Sequence, residues 1–212
     1  MLHFHVVTLF PESIEPYLKS SIIGRAIQAK KIKVSYYDPK KFTRDKYGRV
    51  DRRPYGGGPG MVLEPDAVLR AAEKAIGKKR GAERIFFSTD GAQFNESLAK
   101  KLSKKKDILL IAGHYEGVDE RVATILKVKK VSMGPFVLTG GELPAAALVD
   151  AVSRFVPSVL GKAESLERSR VSSPEVYTRP EILVWKGKKY RVPKVLLTGH
   201  HAKIEAWKRD RL

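Results

Sequence analysis

Three glycine-rich turns hold the residues of this sequence best placed to do chemistry. The first runs Arg53-Pro54-Tyr55-Gly56-Gly57-Gly58-Pro59-Gly60-Met61. The second, Gly113-His114-Tyr115-Glu116-Gly117-Val118-Asp119-Glu120-Arg121, directly follows the apolar run Ile108–Ala112. The third extends from Ser132 through Gly134, Gly140 and Gly141 to Pro144 and leads into a helical pattern. Glycine admits positive φ and lets backbone approach a ligand or a second chain closely. In parallel α/β sheets, turns beyond the carboxyl ends of strands converge on one crevice. Taken singly, each segment also reads as a tight structural turn.

Other chemistries are excluded by what is missing. The chain has no cysteine, which removes disulfides, thiolate metal sites and a cysteine nucleophile. No G-x-G-x-x-G follows a strand and no G-x-x-x-x-G-K-[ST] occurs, so neither a dinucleotide fold nor a P-loop is indicated. His200-His201 with Glu205 is a weak metal pattern and reads as structural; no metal is expected. Arg154 lies four residues beyond Asp150, so its simplest role is an ion pair on one helix face.

The elements that must position these turns follow from periodicity. Strands are expected at Leu2–Phe10, Ile32–Tyr37, Ile85–Ser88, Ile108–Ala112 and Val128–Ser132. Helices are expected from Pro11 through Ile14, Leu18, Ile22 and Ile23, then from Glu64 to Gly77, Phe94 to Leu102, Asp119 to Leu126 and Glu142 to Val156. This alternation predicts an α/β domain with a mostly parallel sheet. Pro39–Val62 is a long basic connection, and loops of that length inside a domain are usually functional. Residues 1–160 form the expected main domain and 161–176 a linker. Residues 177–212 are a short basic segment with ten Lys or Arg against Glu181, Glu205 and Asp210, ending in a helix near Ala202–Arg209.

The 212 residues include 41 Lys plus Arg against 23 Asp plus Glu, a formal net charge of +18. Such an excess attracts a polyanion and favours contacts that release counterions from phosphates. No apolar run approaches the roughly 20 residues needed to span a bilayer. The opening Met1–His5 lacks a basic signal region. A cytoplasmic protein with no membrane partner is expected.

Together the blocks "TLFPE", "RPYGGGPGM", "GHYEGVDERV", "VLTGGELPA", "VSRFVPSVLG", "YTRPE" and "VLLTGHHAKIEAWK" closely resemble the bacterial tRNA (guanine-N1)-methyltransferase family along essentially the whole chain. The resemblance implies a SPOUT-type α/β domain whose C-terminal half is tied in a deep trefoil knot, followed by a short α-rich appendage. It implies a homodimer with each active site built from both subunits. The implied reaction moves a methyl from S-adenosylmethionine to N1 of the guanosine immediately 3′ of the tRNA anticodon. That base must be unstacked to expose its Watson–Crick edge.

By the same resemblance, S-adenosylmethionine sits against Phe86, Phe87, Ser88 and Thr89, then Gly113, Tyr115, Glu116 and Gly117. The third turn adds Ser132, Met133, Gly134, Phe136, Val137 and Leu138, then Gly140, Gly141 and Pro144. Arg154 matches an arginine implied to stabilise charge on guanine O6, and Glu116 joins it in catalysis. Phe86 and Thr89 stand where the family commonly has Tyr and Pro, and Pro135 where it usually has Asp. The family's general base is a linker aspartate. Counting forward from Val159-Leu160-Gly161 reaches Ser169; counting back from Tyr177 reaches Ser165. Glu164 and Glu167 are the nearby carboxylates able to substitute, and ordinary solvated charge is their simpler reading. The family normally continues beyond this segment with a helical tRNA-gripping domain, so 177–212 reads as a shortened version. Two other readings stay open: a weak or inactive RNA-binding relic that keeps the cofactor site, and a methyltransferase for another RNA nucleotide.

Overall fold

The computed structural model describes residues 1–77, 79, 81–160 and 175–211. The chain divides into two compact units, Met1–Leu160 and Gly161–Leu212.

The first unit is a five-stranded parallel sheet. Its strands are β1 (Leu2–Val7), β2 (Ile32–Tyr37), β5 (Glu83–Gln93), β6 (Asp107–Ile111) and β7 (Lys129–Ser132), in the spatial order β2-β1-β6-β5-β7. The helices are α1 (Glu15–Leu18), α2 (Ser21–Gln28), α3 (Pro65–Ile76), α4 (Glu96–Leu102), α5 (Glu120–Leu126) and α6 (Glu142–Ser153). β6 shows why the sheet is buried on both sides. Its Ile108 and Leu110 join Leu2, Phe4 and Val6 of β1 against α2, α4 and α6. Its Leu109 and Ile111 face the opposite layer with Ala67, Val68, Ala71 and Ala72 of α3 and Val122 of α5. An uninterrupted apolar run is what a two-sided parallel strand requires. Each such leucine or isoleucine contributes about 1.5–3 kcal/mol on burial.

Beyond strand ends, where β1 stops at Val7 rather than Phe10 and β5 runs Glu83–Gln93 rather than Ile85–Ser88, two stretches differ from the periodicity. The single helix expected from Pro11 is broken into a 3-10 turn at Pro11–Ser13, α1 and α2. Ser21 opens α2 at φ 48°, so Ile14, Leu18 and Ile23 reach one core from separate pieces. The Pro39–Val62 connection contains a 3-10 turn at Pro39–Lys41 and a short antiparallel pair of β3 (Asp51–Arg52) with β4 (Val62–Leu63). Asp45 binds Arg49 and Arg52 within it, and the Arg49 side chain, helped by the Tyr47 and Arg49 N–H groups, holds its carboxyl well below the usual range.

The apolar face of β1 toward α3 is interrupted at its lower end by His3 and His5, beside Asp107, Tyr37 and Lys79. Burial is the main cause that lowers His3 to about 4, and burial also lowers His5. Burial pushes Asp107 up, but Lys79 and His5 outweigh it and hold its carboxyl below its ordinary value.

In the second unit, β8 (Ile182–Trp185) pairs antiparallel with β9 (Lys188–Arg191), followed by α7 (Lys194–Leu197) and α8 (His201–Arg209). This hairpin was not expected from the pattern. Its two-residue turn places Lys186 at φ 47° and Gly187 at φ 76°, the positive-φ pair that a tight hairpin needs. His200 caps α8, its Nδ1 accepting from the Lys203 N–H at 3.5 Å. Among the described residues no helix is long and apolar enough to cross a membrane.

Candidate functional site

The carboxyl ends of β5, β6 and β7 release the chain into segments that meet above the sheet. β5 slips register against β7 between Phe87 and Ala92, so Ser88–Gly91 bulges outward at the rim. The Ser88 hydroxyl and then the Lys130 ammonium hold Asp90 below the usual carboxylate range. After β6, the turn at Gly113–Gly117 carries Tyr115 at φ 59°. After β7, the Ser132 hydroxyl donates to the Gly134 carbonyl at 3.0 Å and accepts from the Gly134 N–H at 3.3 Å, which bends the third turn.

The second and third turns are stitched together. Gly141 N–H donates to the Gly113 carbonyl at 2.7 Å, and His114 forms an antiparallel bridge with Gly140. A Cβ at Gly141 would lie 2.6 Å from Ala112 Cα and 2.8 Å from Gly113 N. Backbone cannot yield there, so only glycine fits. Glu142 locks the same junction from below: its buried carboxylate accepts from Thr8 Oγ1 at 2.8 Å and lies 3.5 Å from His114 Nδ1. A carboxylate at the first position of α6 also complements the helix dipole.

The first glycine-rich segment joins the second turn. Glu116 N–H donates to the Met61 carbonyl, and Leu63 N–H to the Gly117 carbonyl, both at 3.0 Å. Gly60, at φ 76°, faces Glu116: a Cβ there would lie 2.5 Å from both Glu116 Cγ and Oε1. The Asp119 carboxylate caps α5 and is held below its usual range chiefly by hydrogen bonding from Arg121.

These segments enclose a cleft of about 240 Å³. Phe86, Phe87, Ser88 and Thr89 of β5 line it with Gly113, Tyr115, Glu116 and Gly117 of the second turn. Ser132, Met133, Phe136, Val137, Leu138, Gly140, Gly141 and Pro144 complete the wall. Gly134 does not line it; it stands behind the Phe136 ring, into which a Cβ would run. Three lining residues were not singled out from sequence: His114, Val131 and Thr139. Each lies inside or beside a glycine turn, which was the available signal. Glu116 is the cleft's single carboxylate among the described residues. The walls are aromatic and aliphatic side chains interleaved with backbone amides, suited to a flat ligand with apolar faces and a polar edge.

Arg154 is not at this cleft. It caps the C-terminal end of α6, and a helix of this length carries it about 18 Å from Glu142 at the other end. Asp150, four residues earlier, accepts from the Tyr17 hydroxyl at 2.7 Å. Ser169, Ser165, Glu164 and Glu167 lie outside the described residues.

Comparison with known proteins agrees with these blocks. The family model described as tRNA (Guanine-1)-methyltransferase TrmD matches residues 2–212. A tRNA (guanine-N(1)-)-methyltransferase of Pseudoalteromonas atlantica is 43% identical over 97% of this chain and 78% of its own length. Proteins of the same name from Clostridioides difficile and Thermosipho africanus are 39% and 44% identical. They match 99% and 96% of this chain and 91% and 82% of their own lengths, respectively.

Proposed function

The chain belongs to the tRNA (guanine-1)-methyltransferase family, and we propose that it methylates N1 of the guanosine immediately 3′ of the tRNA anticodon, using S-adenosylmethionine. The observation that carries this reading is the convergence of both stitched glycine turns and the β5 bulge on one apolar, backbone-rich cleft. The cleft suits the cofactor: adenine offers apolar faces to Phe86, Met133 and Leu138, and its edge needs the amides and carbonyls that the glycines leave uncovered. S-adenosylmethionine supplies an electrophilic methyl with a neutral leaving group. The protein's own task is therefore to align guanine N1, remove its proton and compensate charge on O6.

Arg154 takes the last role from a second copy of the chain. Its position at the far end of α6 from its own cleft supports a homodimer with shared sites. The trefoil knot belongs to the same reading, supported by the close packing of Gly141 on the backbone of Ala112 and Gly113. The net charge of +18 supports phosphate contacts to tRNA, with residues 177–212 as a basic tRNA-binding segment joined through the linker 161–176. A tRNA substrate supports a cytoplasmic protein.

Calorimetry with S-adenosylmethionine tests the cofactor site. Wild type should bind, and Gly141→Ala should bind at least tenfold more weakly, because the new Cβ forces the third turn off the second. Gly58, at φ 116° with nothing within 4 Å, is the control, and Gly58→Ala should bind as wild type does. A wild-type protein without measurable affinity ends this reading.

Gly60 offers a second check on the site. Gly60→Ala and Gly58→Ala both place a side chain at a positive φ that L side chains rarely adopt. Gly60→Ala alone displaces Glu116. Its methyl-transfer rate should fall by up to ~10²-fold, the cost of misplacing a reacting group by about 1 Å. Equal rates for the two variants would remove Glu116 from the reaction.

A further inference from the structure

His3 and His5 stand two residues apart on β1, so both rings leave the same face of the sheet. They do so at the opposite end of the strands from the cleft. Asp107, the first residue of β6, is the register partner of His3. The two rings lie 3.7 Å apart between centroids. His5 Nε2 is 2.8 Å and His3 Nδ1 is 4.0 Å from Asp107 Oδ1. One donor atom from each of the three residues falls within 4.8 Å of the others.

The second nitrogen of each ring is also engaged. His3 Nε2 lies 2.9 Å from Ser35 Oγ, and His5 Nδ1 lies 3.2 Å from the Tyr37 hydroxyl. Outer partners of this kind fix ring orientation and tautomer where histidines bind metal. A cation already occupies the point of convergence. The Lys79 ammonium lies 2.6 Å from Asp107 Oδ1 and 3.5 Å from His5 Nε2. Its side chain is 45% exposed, so it can swing into solvent and leave the donors in place.

We propose that His3 Nδ1, His5 Nε2 and the Asp107 carboxylate bind one divalent transition-metal ion of the zinc type, which displaces the Lys79 ammonium. Two imidazoles and a carboxylate form a donor set suited to zinc or cobalt, with a fourth position left to water. Ligands at about 2.0 Å in tetrahedral array stand roughly 3.3 Å apart. The His5–Asp107 pair therefore opens by only a few tenths of an ångström, and His3 closes by a little more. The ion would clamp β1 to β6, the central strand pair, and owes nothing to the cofactor cleft.

The test uses the full chain with His200→Gln and His201→Gln, which removes the other adjacent histidine pair. ZnCl2 is titrated by calorimetry, and CoCl2 is followed by visible absorption for the bands of a four-coordinate site. One equivalent should bind. Tyr37→Phe should weaken it within the roughly 10–100-fold typical of outer-shell changes, and His3→Gln and Asp107→Asn should weaken it further. Lys79→Met should bind more tightly than the parent, since no ammonium competes. His3 and Asp107 are both partly exposed, so one substitution serves if the other unfolds the protein. Three results overturn the proposal. They are binding undiminished in a ligand variant, parent affinity weaker than about 100 µM, and binding confined to Lys79→Met. Any of them makes the cluster a permanent ion-pair network with Lys79 as its cation.

Discussion

Arg154→Ala and Gly141→Ala proteins, each strongly impaired alone when S-adenosylmethionine is below saturation, should recover roughly a quarter of wild-type methyl transfer when co-expressed, as a symmetric dimer with shared sites requires. Half of the dimers are then mixed. In each mixed dimer, one site joins the intact cleft of the Arg154→Ala chain to the intact arginine of its partner, while the other site carries both lesions. Action of Arg154 on its own chain's cleft would give no recovery, because no chain has both parts. The geometry favours the shared arrangement: α6 starts at Glu142 beside the cleft and ends at Arg154, about 18 Å away along its axis. Arg154→Ala alone should lose about 10²–10³-fold in kcat, the usual cost of one donor to a developing oxyanion. Its S-adenosylmethionine affinity should match wild type, because the cleft walls are untouched. A monomeric mass by light scattering at micromolar concentration, or an absence of recovery on co-expression, would remove the dimeric site.

The parts of this fold legible from sequence were those coded locally. Ile108–Ala112 is a continuous apolar run, and it became the central strand, buried on both faces. The helices with clean spacing, at Pro65–Ile76 and Glu96–Leu102, fell close to their expected ends. Asn95 shows why the latter begins where it does: its side chain accepts from the Leu98 N–H at 3.0 Å. What stayed hidden depends on partners distant in the chain. His3 and His5 gave no signal in the sequence, because the partners that define their surroundings, Asp107 on β6 and Lys79 beyond α3, are distant in the chain. Glu142 was visible only as the start of a helix, whereas Thr8, 134 residues away, makes it a buried tie between the end of β1 and the third turn. The glycine turns were visible as turns, but their mutual contact was not, because it runs through backbone. The chain's resemblance to a known family, rather than any periodicity, connected them in advance. Arg154 shows the converse: its separation from the cleft follows from counting residues along one helix, once the start of that helix is known.

The general base gives the other large expected effect. Deprotonating guanine N1 before methyl transfer needs an acceptor, and the cleft's one carboxylate among the described residues is Glu116. Glu116 N–H is tied to Met61, and its side chain is crowded by Gly60, so its position is set by the first glycine segment. The linker position matching the family's aspartate is Ser169, and a neutral hydroxyl with no basic partner accepts a proton poorly. If Ser169 holds that place, wild-type kcat should rise about tenfold per pH unit, since the reactive N1 anion then forms without help. The sign follows from the substrate: raising pH removes the N1 proton, so the anion gains population. Ser169→Asp should flatten this profile near neutral pH and raise the rate by roughly 10²–10⁴-fold. If Glu164 or Glu167 has taken over, wild type should already be fast and level in pH, and Glu→Gln at that one position should cost a comparable factor. Glu116→Gln separates the remaining case, in which its loss imposes the steep profile while Ser169→Asp changes nothing. Initial rates on unmodified tRNA between pH 6 and 9, with radiolabelled methyl donor, distinguish the three by slope. A wild-type protein that binds S-adenosylmethionine yet stays silent across that range, with Ser169→Asp equally silent, would leave an RNA-binding relic of the same fold.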